Sequence, residues 1–141
     1  MGTNIEATVL AKVTDPFVGE KPVLHKNTVV FVACESEQEA QYLCATLNST
    51  ITNFIAKSYS VGKSFGSPHL LEQVCISRFD ATNPLHTRLA GLSEQAHQLA
   101  AADDKAGLAA VEAQVEETAA ALWNITDREL QEIRRSLEEL G

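Results

Sequence analysis

The chain has 141 residues, of which 45% are hydrophobic and 21% charged, enough for one domain or two small ones and too short for a multidomain enzyme. At this length folding hides roughly two-thirds of the unfolded surface, so a self-sufficient core is within reach. Lys and Arg number 11 against 19 Asp and Glu, a net charge of -8, which is the wrong sign for a protein that simply coats nucleic acid.

The charge is not evenly spread. Residues 1–84 hold 8 acids and 6 bases, whereas residues 85–141 hold 11 acids and 5 bases. Between residues 50 and 79 Glu72 is the only acid, while Lys57, Lys63 and Arg78 are basic. The longest apolar run, Val29 to Cys34, is far shorter than the roughly 20 residues of a membrane span, and Met1 to Lys12 lacks the pattern of a signal peptide. Cys34, Cys44 and Cys75 are odd in number without CxxC spacing and sit in apolar or strand-like contexts, which reads as buried, reduced thiols. The expectation is a cytoplasmic protein with no membrane partner, in which the sequons at Asn48 and Asn124 carry nothing.

The first third reads as strands. Ile5 to Val13 alternates loosely, with breakers at Thr14-Asp15-Pro16 and Val18 to Pro22 beyond it. Thr28 to Cys34 is β-branched, aromatic and nearly all apolar, which suits a central strand buried on both faces. Ser36 with Glu39 forms a capping box, and Ala40, Leu43, Cys44, Leu47, Ile51, Phe54 and Ile55 continue one amphipathic helix, kinked near Asn48-Ser49, that covers the sheet. Residues 58–67 form the most loop-like stretch, serine- and glycine-rich and free of acids. Ser67-Pro68 opens a short turn through Glu72, Val74 to Phe79 returns to strand character, and Asp80 to Pro84 is a linker.

The last third is helical. Leu85, Leu89, Leu92, Ala96 and Leu99 form one stripe, and Leu108, Val111, Val115, Thr118 and Leu122 form a second after a break at Asp103-Asp104. Thr126 and Glu129 cap a third helix whose stripe is Leu130, Ile133, Leu137 and Leu140; Asn124 suits the left-handed residue before it. The fold class expected is α+β: a small mixed or antiparallel sheet with a covering helix, followed by a C-terminal helical hairpin or three-helix segment. The boundary falls between residues 82 and 83, giving parts 1–82 and 83–141.

Catalytic patterns fail one by one. Gly62-Lys63-Ser64 resembles the end of a phosphate-binding loop, but Lys57 stands where the first glycine belongs and a helix, not a strand, precedes it. His86 and His97 share a helical face but lie about 16 Å apart at ~1.5 Å per residue, too far for one metal ion. The pairs Glu116-Glu117, Glu138-Glu139 and Asp103-Asp104 suit solvated faces and turns, and no serine or cysteine sits on a nucleophile elbow. What survives is the basic window. Lys57, Ser58, Tyr59, Ser60, Lys63, Ser64, Ser67 and His69 offer cations, hydroxyls and an aromatic ring, the ingredients of phosphate positioning and base-edge hydrogen bonding. The plain alternative is an ordinary serine-glycine surface loop.

Glu39-Ala40, Tyr42-Leu43-Cys44, Leu47-Asn48-Ser49, Ser67-Pro68-His69 with Leu71-Glu72, Arg78-Phe79-Asp80, Asn83-Pro84-Leu85-His86, Leu122-Trp123 and Thr126 through Leu140 occur in one colinear order. In that order the chain resembles the C-terminal specificity region of adenine-specific DNA methyltransferases of restriction-modification systems, the TaqI-like, type IIG-like kind in which methylase and recognition functions share one prokaryotic polypeptide. Ser77 stands where that family usually has proline, and Asn124 where it has glycine. The resemblance implies a DNA target-recognition region whose partners are duplex DNA and the methyltransferase domain of a parent polypeptide.

The Asn/Asp-Pro-Pro-Tyr/Phe motif and the glycine-rich S-adenosylmethionine loop of such enzymes have no counterpart here; Asp15-Pro16-Phe17 lacks the second proline. The chain is therefore expected to be non-catalytic and to hold no cofactor, with S-adenosylmethionine belonging to the parent enzyme. The alternative is an acidic helical interaction or dimerisation module with no DNA role, oligomerising through its C-terminal helices.

Overall fold

The computed structural model describes residues 4–10, 12–21, 30–59 and 72–140. Five helices dominate these residues: α1 Glu37–Asn48, α2 Thr50–Tyr59, α3 Pro84–Ala101, α4 Lys105–Leu122 and α5 Asp127–Leu140. The strands β1 Val13–Asp15 and β2 Gly19–Lys21 pair antiparallel, with Val13 opposite Lys21 and Asp15 opposite Gly19. The chain is mostly helical with a small antiparallel sheet.

Local chemistry sets each helix boundary. Ser36 Oγ accepts the Glu39 amide at 3.1 Å, while the Glu39 carboxylate accepts the Glu35 amide at 2.7 Å, one residue further back than a capping box requires. At Asn48-Ser49 the structure has a full break rather than a kink: Ser49 is extended, with ψ 150. Its hydroxyl donates to the Thr46 carbonyl at 2.8 Å and accepts the Thr52 amide at 3.3 Å, so one buried serine ends α1 and starts α2. Asn83 caps α3, with Pro84 at the first helical position.

Helices α3 and α4 both finish in left-handed residues, Asp103 at φ 55 and Asn124 at φ 54. In each case the paired backbone bonds of a Schellman motif follow: Asp103 to Ala100 and Asp104 to Leu99, then Asn124 to Ala121 and Ile125 to Ala120. Thr126 and Glu129 form the expected reciprocal cap of α5.

The core is shared by helices from both halves of the chain. Helix α3 packs against α1 and α4, and α5 packs on α2. Tyr42, Ala45 and Ile51 join Leu89, Val111, Val115, Ala119 and Leu130 in one hydrophobic cluster. The stripes read from the sequence point inward, with Leu89, Leu92, Val111, Val115 and Thr118 buried. Among the described residues no helix is long and apolar enough to cross a membrane.

The sheet differs from expectation. Among the described residues of Ile5 to Val13 only Val13 enters a strand; residues 5–10 alternate between half-buried and exposed as a strand would, but the amides of Ile5, Ala7 and Val9 are taken by helix side chains. Residues 30–34 of the expected central strand belong to no strand, and Val30, Phe31 and Val32 are 41%, 56% and 52% exposed instead of buried on both faces; residues 28 and 29 lie outside the described part. Residues 75–80 are likewise unpaired, with Val74 buried and Ile76 and Phe79 packed on the helical core. The physical reason is that α1 spends its apolar face on α3, which leaves no helix surface to cover a sheet. The breakers at Asp15 to Gly19 instead close the hairpin: Asp15 Oδ1 accepts the Phe17 and Val18 amides, and Gly19 has φ +74.

Candidate functional site

Of the eight residues of the basic window, Lys57, Ser58 and Tyr59 form the last turn of α2, so Ser58 and Tyr59 are helical and not part of the expected loop, while Ser60, Lys63, Ser64, Ser67 and His69 lie outside the described residues. Helix α2 is a firm base for that turn. Ile51 and Ala56 are buried, and both carboxylate oxygens of Glu116 reach the Thr50 amide, at 2.9 and 3.1 Å. Tyr59 is 63% exposed. Successive helical residues are about 100° apart, so Lys57 and Tyr59 leave the axis in different directions and do not share one face. Ser58 donates its proton to the Phe54 carbonyl at 2.8 Å, which leaves its lone pairs, not its proton, for a ligand. The carbonyl end of a helix carries partial negative charge and favours a cation, so any phosphate held here depends on lysine ammonium groups.

A second cluster was not anticipated. His86 is buried and stacks on Tyr42 with ring centroids 4.5 Å apart, and Phe79 lies 5.6 Å from the Tyr42 ring. The Tyr42 hydroxyl donates to the Ser77 carbonyl at 3.0 Å and lies 2.9 Å from Ser77 Oγ, which is 3.3 Å from His86 Nε2. This serine–histidine pair has the wrong proton for nucleophilic catalysis. The Asp80 amide donates to His86 Nδ1 at 3.0 Å, which places the imidazole proton on Nε2, where it faces Ser77 as a donor. A general base needs that nitrogen bare. The cluster therefore acts as a lock that fastens residues 77–86 onto α1. Burial pushes the Tyr42 hydroxyl above its ordinary pKa, and its bonds to Ser77 and Thr46 oppose this.

The third feature is a groove under the N-terminal segment. Asn53 Oδ1 accepts the Ile5 amide at 2.6 Å, Asn48 pairs with both the amide and carbonyl of Ala7, and His97 Nε2 accepts the Val9 amide at 3.4 Å. Beside this segment lies a cleft of about 450 Å³ bordered by Glu6, Glu112 and Glu116. Asn48 and His97 stand in the sequence as a sequon and half of a failed metal pair. The signal that points to their role is the alternation of residues 5–9, which requires some hydrogen-bonding edge.

All three cysteines are free thiols, but only Cys44 is buried as expected; Cys34 is half-buried and Cys75 is exposed, on a segment that forms no strand. Burial raises the pKa of Cys44 and of Cys34, which disfavours the reactive thiolate at both. Among the described residues no group of three or more His, Cys, Asp or Glu is arranged to hold a metal ion. Comparison with family models, curated proteins and solved structures gives no match for this chain.

Proposed function

We propose that this chain is a DNA sequence-recognition module of a restriction-modification adenine-specific DNA methyltransferase, non-catalytic in itself. The observation that carries the reading is the colinear pattern from Glu39 to Leu140, and its residues have definite structural work. Tyr42, Phe79 and His86 build the lock, Asn83-Pro84 starts α3, and Thr126 with Glu129 starts α5. A shared pattern of this kind reports a shared scaffold. Contact with DNA falls to the exposed end of α2 and the residues after it, with Lys57 and Lys63 on phosphates, Ser60, Ser64, Ser67 and His69 on phosphate or base edges, and Ser58, whose proton goes to Phe54, accepting from base-edge amino groups. Tyr59, exposed at the helix end, packs against sugar.

With so few cations, binding is weak and sensitive to salt. Fluorescence anisotropy with duplex DNA at low and moderate salt tests it. The expected result is binding at low salt that falls with added salt and is reduced in Lys57→Ala/Lys63→Ala. Absence of binding at low salt, or indifference to both substitutions, rejects it. S-adenosylmethionine belongs to the parent enzyme, and the methyltransferase domain of that polypeptide is the protein partner.

Protein–protein docking without a DNA role is the second reading, favoured by the exposure of Phe17 at 94% and of the run Val30 to Val32. Sedimentation of the intact chain separates the two: self-association with no affinity for DNA supports docking.

A further inference from the structure

The helical body holds residues 4–10 of its own chain much as a receptor holds a peptide. Three helices each contribute one side chain, Asn48 from α1, Asn53 from α2 and His97 from α3, and these take the amides of Ala7, Ile5 and Val9. Every second residue of an extended chain turns its amide to the same edge, a repeat of about 6.6 Å, so this set reads mainly main chain; one side chain is read as well, the Thr8 hydroxyl, 3.1 Å from His97 Nε2. Asn48 is bidentate, since its amide nitrogen also donates to the Ala7 carbonyl at 2.8 Å.

The three receptors also bond to the body itself, Asn48 through its amide nitrogen to Cys44 Sγ at 3.5 Å. Asn53 donates to the Ser49 carbonyl at 3.2 Å, and His97 Nδ1 donates to the Ser93 carbonyl at 2.7 Å, which leaves Nε2 to accept from the Val9 amide and the Thr8 hydroxyl. These bonds to the body do not involve residues 4–10, the occupant of the groove. That occupant is loosely fitted: Ile5, Ala7 and Val9 are half-buried, the intervening side chains are exposed, and no described residue from 12 to 36 joins the hydrophobic cluster to anchor it. The cleft beside it stays open, and there Glu6 shares the lining with Glu112 and Glu116, a like-charge arrangement.

We propose that this groove is a docking site for an extended peptide segment read through its main chain, with residues 4–10 as a displaceable occupant, and that a basic side chain at the Glu6 position fits better than glutamate. The proposal is independent of any role in DNA recognition.

A protease site inserted after Leu10 in the full chain tests it, because the protein folds intact and is cut afterwards. A fluorescein-labelled peptide with the sequence of residues 4–10 is then added and its anisotropy followed. Saturable uptake by the cut protein is expected. Methylation of the peptide at the Ala7 amide nitrogen, which removes the proton Asn48 accepts, should weaken uptake about tenfold. A peptide carrying Glu6→Lys should bind about threefold tighter at low salt, with the gain shrinking as salt rises. Failure of the cut protein to take up peptide overturns the proposal, as does uptake indifferent to the methyl group. Loss of helix content on cutting also overturns it, since the segment would then be an integral part of the core. Equal affinity of the lysine peptide removes the charge preference.

Discussion

Tyr42 shows how much one side chain organises. Its ring is fully buried in α1, stacked on His86 of α3 and close to Phe79, and its hydroxyl reaches Ser77. Two contributions can be separated by magnitude. Tyr42→Phe keeps the ring and removes the hydroxyl bonds; Ser77 is exposed, so water replaces the lost partner and the cost should be about 1 kcal/mol. Tyr42→Ala also removes the ring and leaves a cavity, which should cost about 3–5 kcal/mol. Urea denaturation of the two variants measures both values. Comparable losses would mean that the hydroxyl, not the ring, secures residues 77–86.

At the scale of elements, two glycines on neighbouring helices should respond oppositely to alanine. Gly91 in α3 has open space around a new Cβ, so Gly91→Ala should gain up to about 1 kcal/mol from helix propensity. At Gly107 in α4 a Cβ would stand 2.9 Å from Leu99 Cδ2 and closer still, 2.5 Å, to Asp104 Oδ2, a carboxylate whose other oxygen accepts the Gly107 amide. Gly107→Ala should therefore displace the cap and lose about 1 kcal/mol despite the better propensity, as thermal melts of the two variants would show.

Helix α5 adds a pH dependence. The Thr126 amide and hydroxyl hold the Glu129 carboxyl below its ordinary pKa, against a smaller opposing effect of desolvation. A depressed folded pKa means that the cap is intact above the ordinary carboxylate value and is lost as pH falls through the folded one. The Thr126 amide resonance should follow that titration, and Glu129→Gln should abolish the pH response. The Thr126–Glu129 cap was legible in the sequence because it is decided within four residues. The sheet was not, because alternation at residues 5–9 demands a hydrogen-bonding edge without saying whether a strand or Asn48, Asn53 and His97 provide it. The basic window was legible only as composition; three of its residues are placed, and their successive helical directions were implicit in any helix reaching Tyr59.

For the whole molecule, the change from strand-like to helical pattern across Asp80 to Pro84 suggests two parts, whereas the packing couples them. Tyr42, Ala45 and Ile51 from before residue 82 share one cluster with Leu89, Val111, Val115 and Leu130 from beyond it, and α1 makes its main contact with α3. A cluster cut at residue 82 would expose apolar faces on both pieces, so neither retains a closed core. Trp123, the only tryptophan, packs against the cluster from the second part, so its fluorescence follows that part while far-UV circular dichroism follows helices of both. Coupled packing predicts coincident urea transitions by the two probes and a shift of both midpoints in Tyr42→Phe, although Tyr42 lies in the first part. Separated midpoints, or a tryptophan transition unmoved by that substitution, would show instead that residues 83–141 unfold independently of residues 1–82.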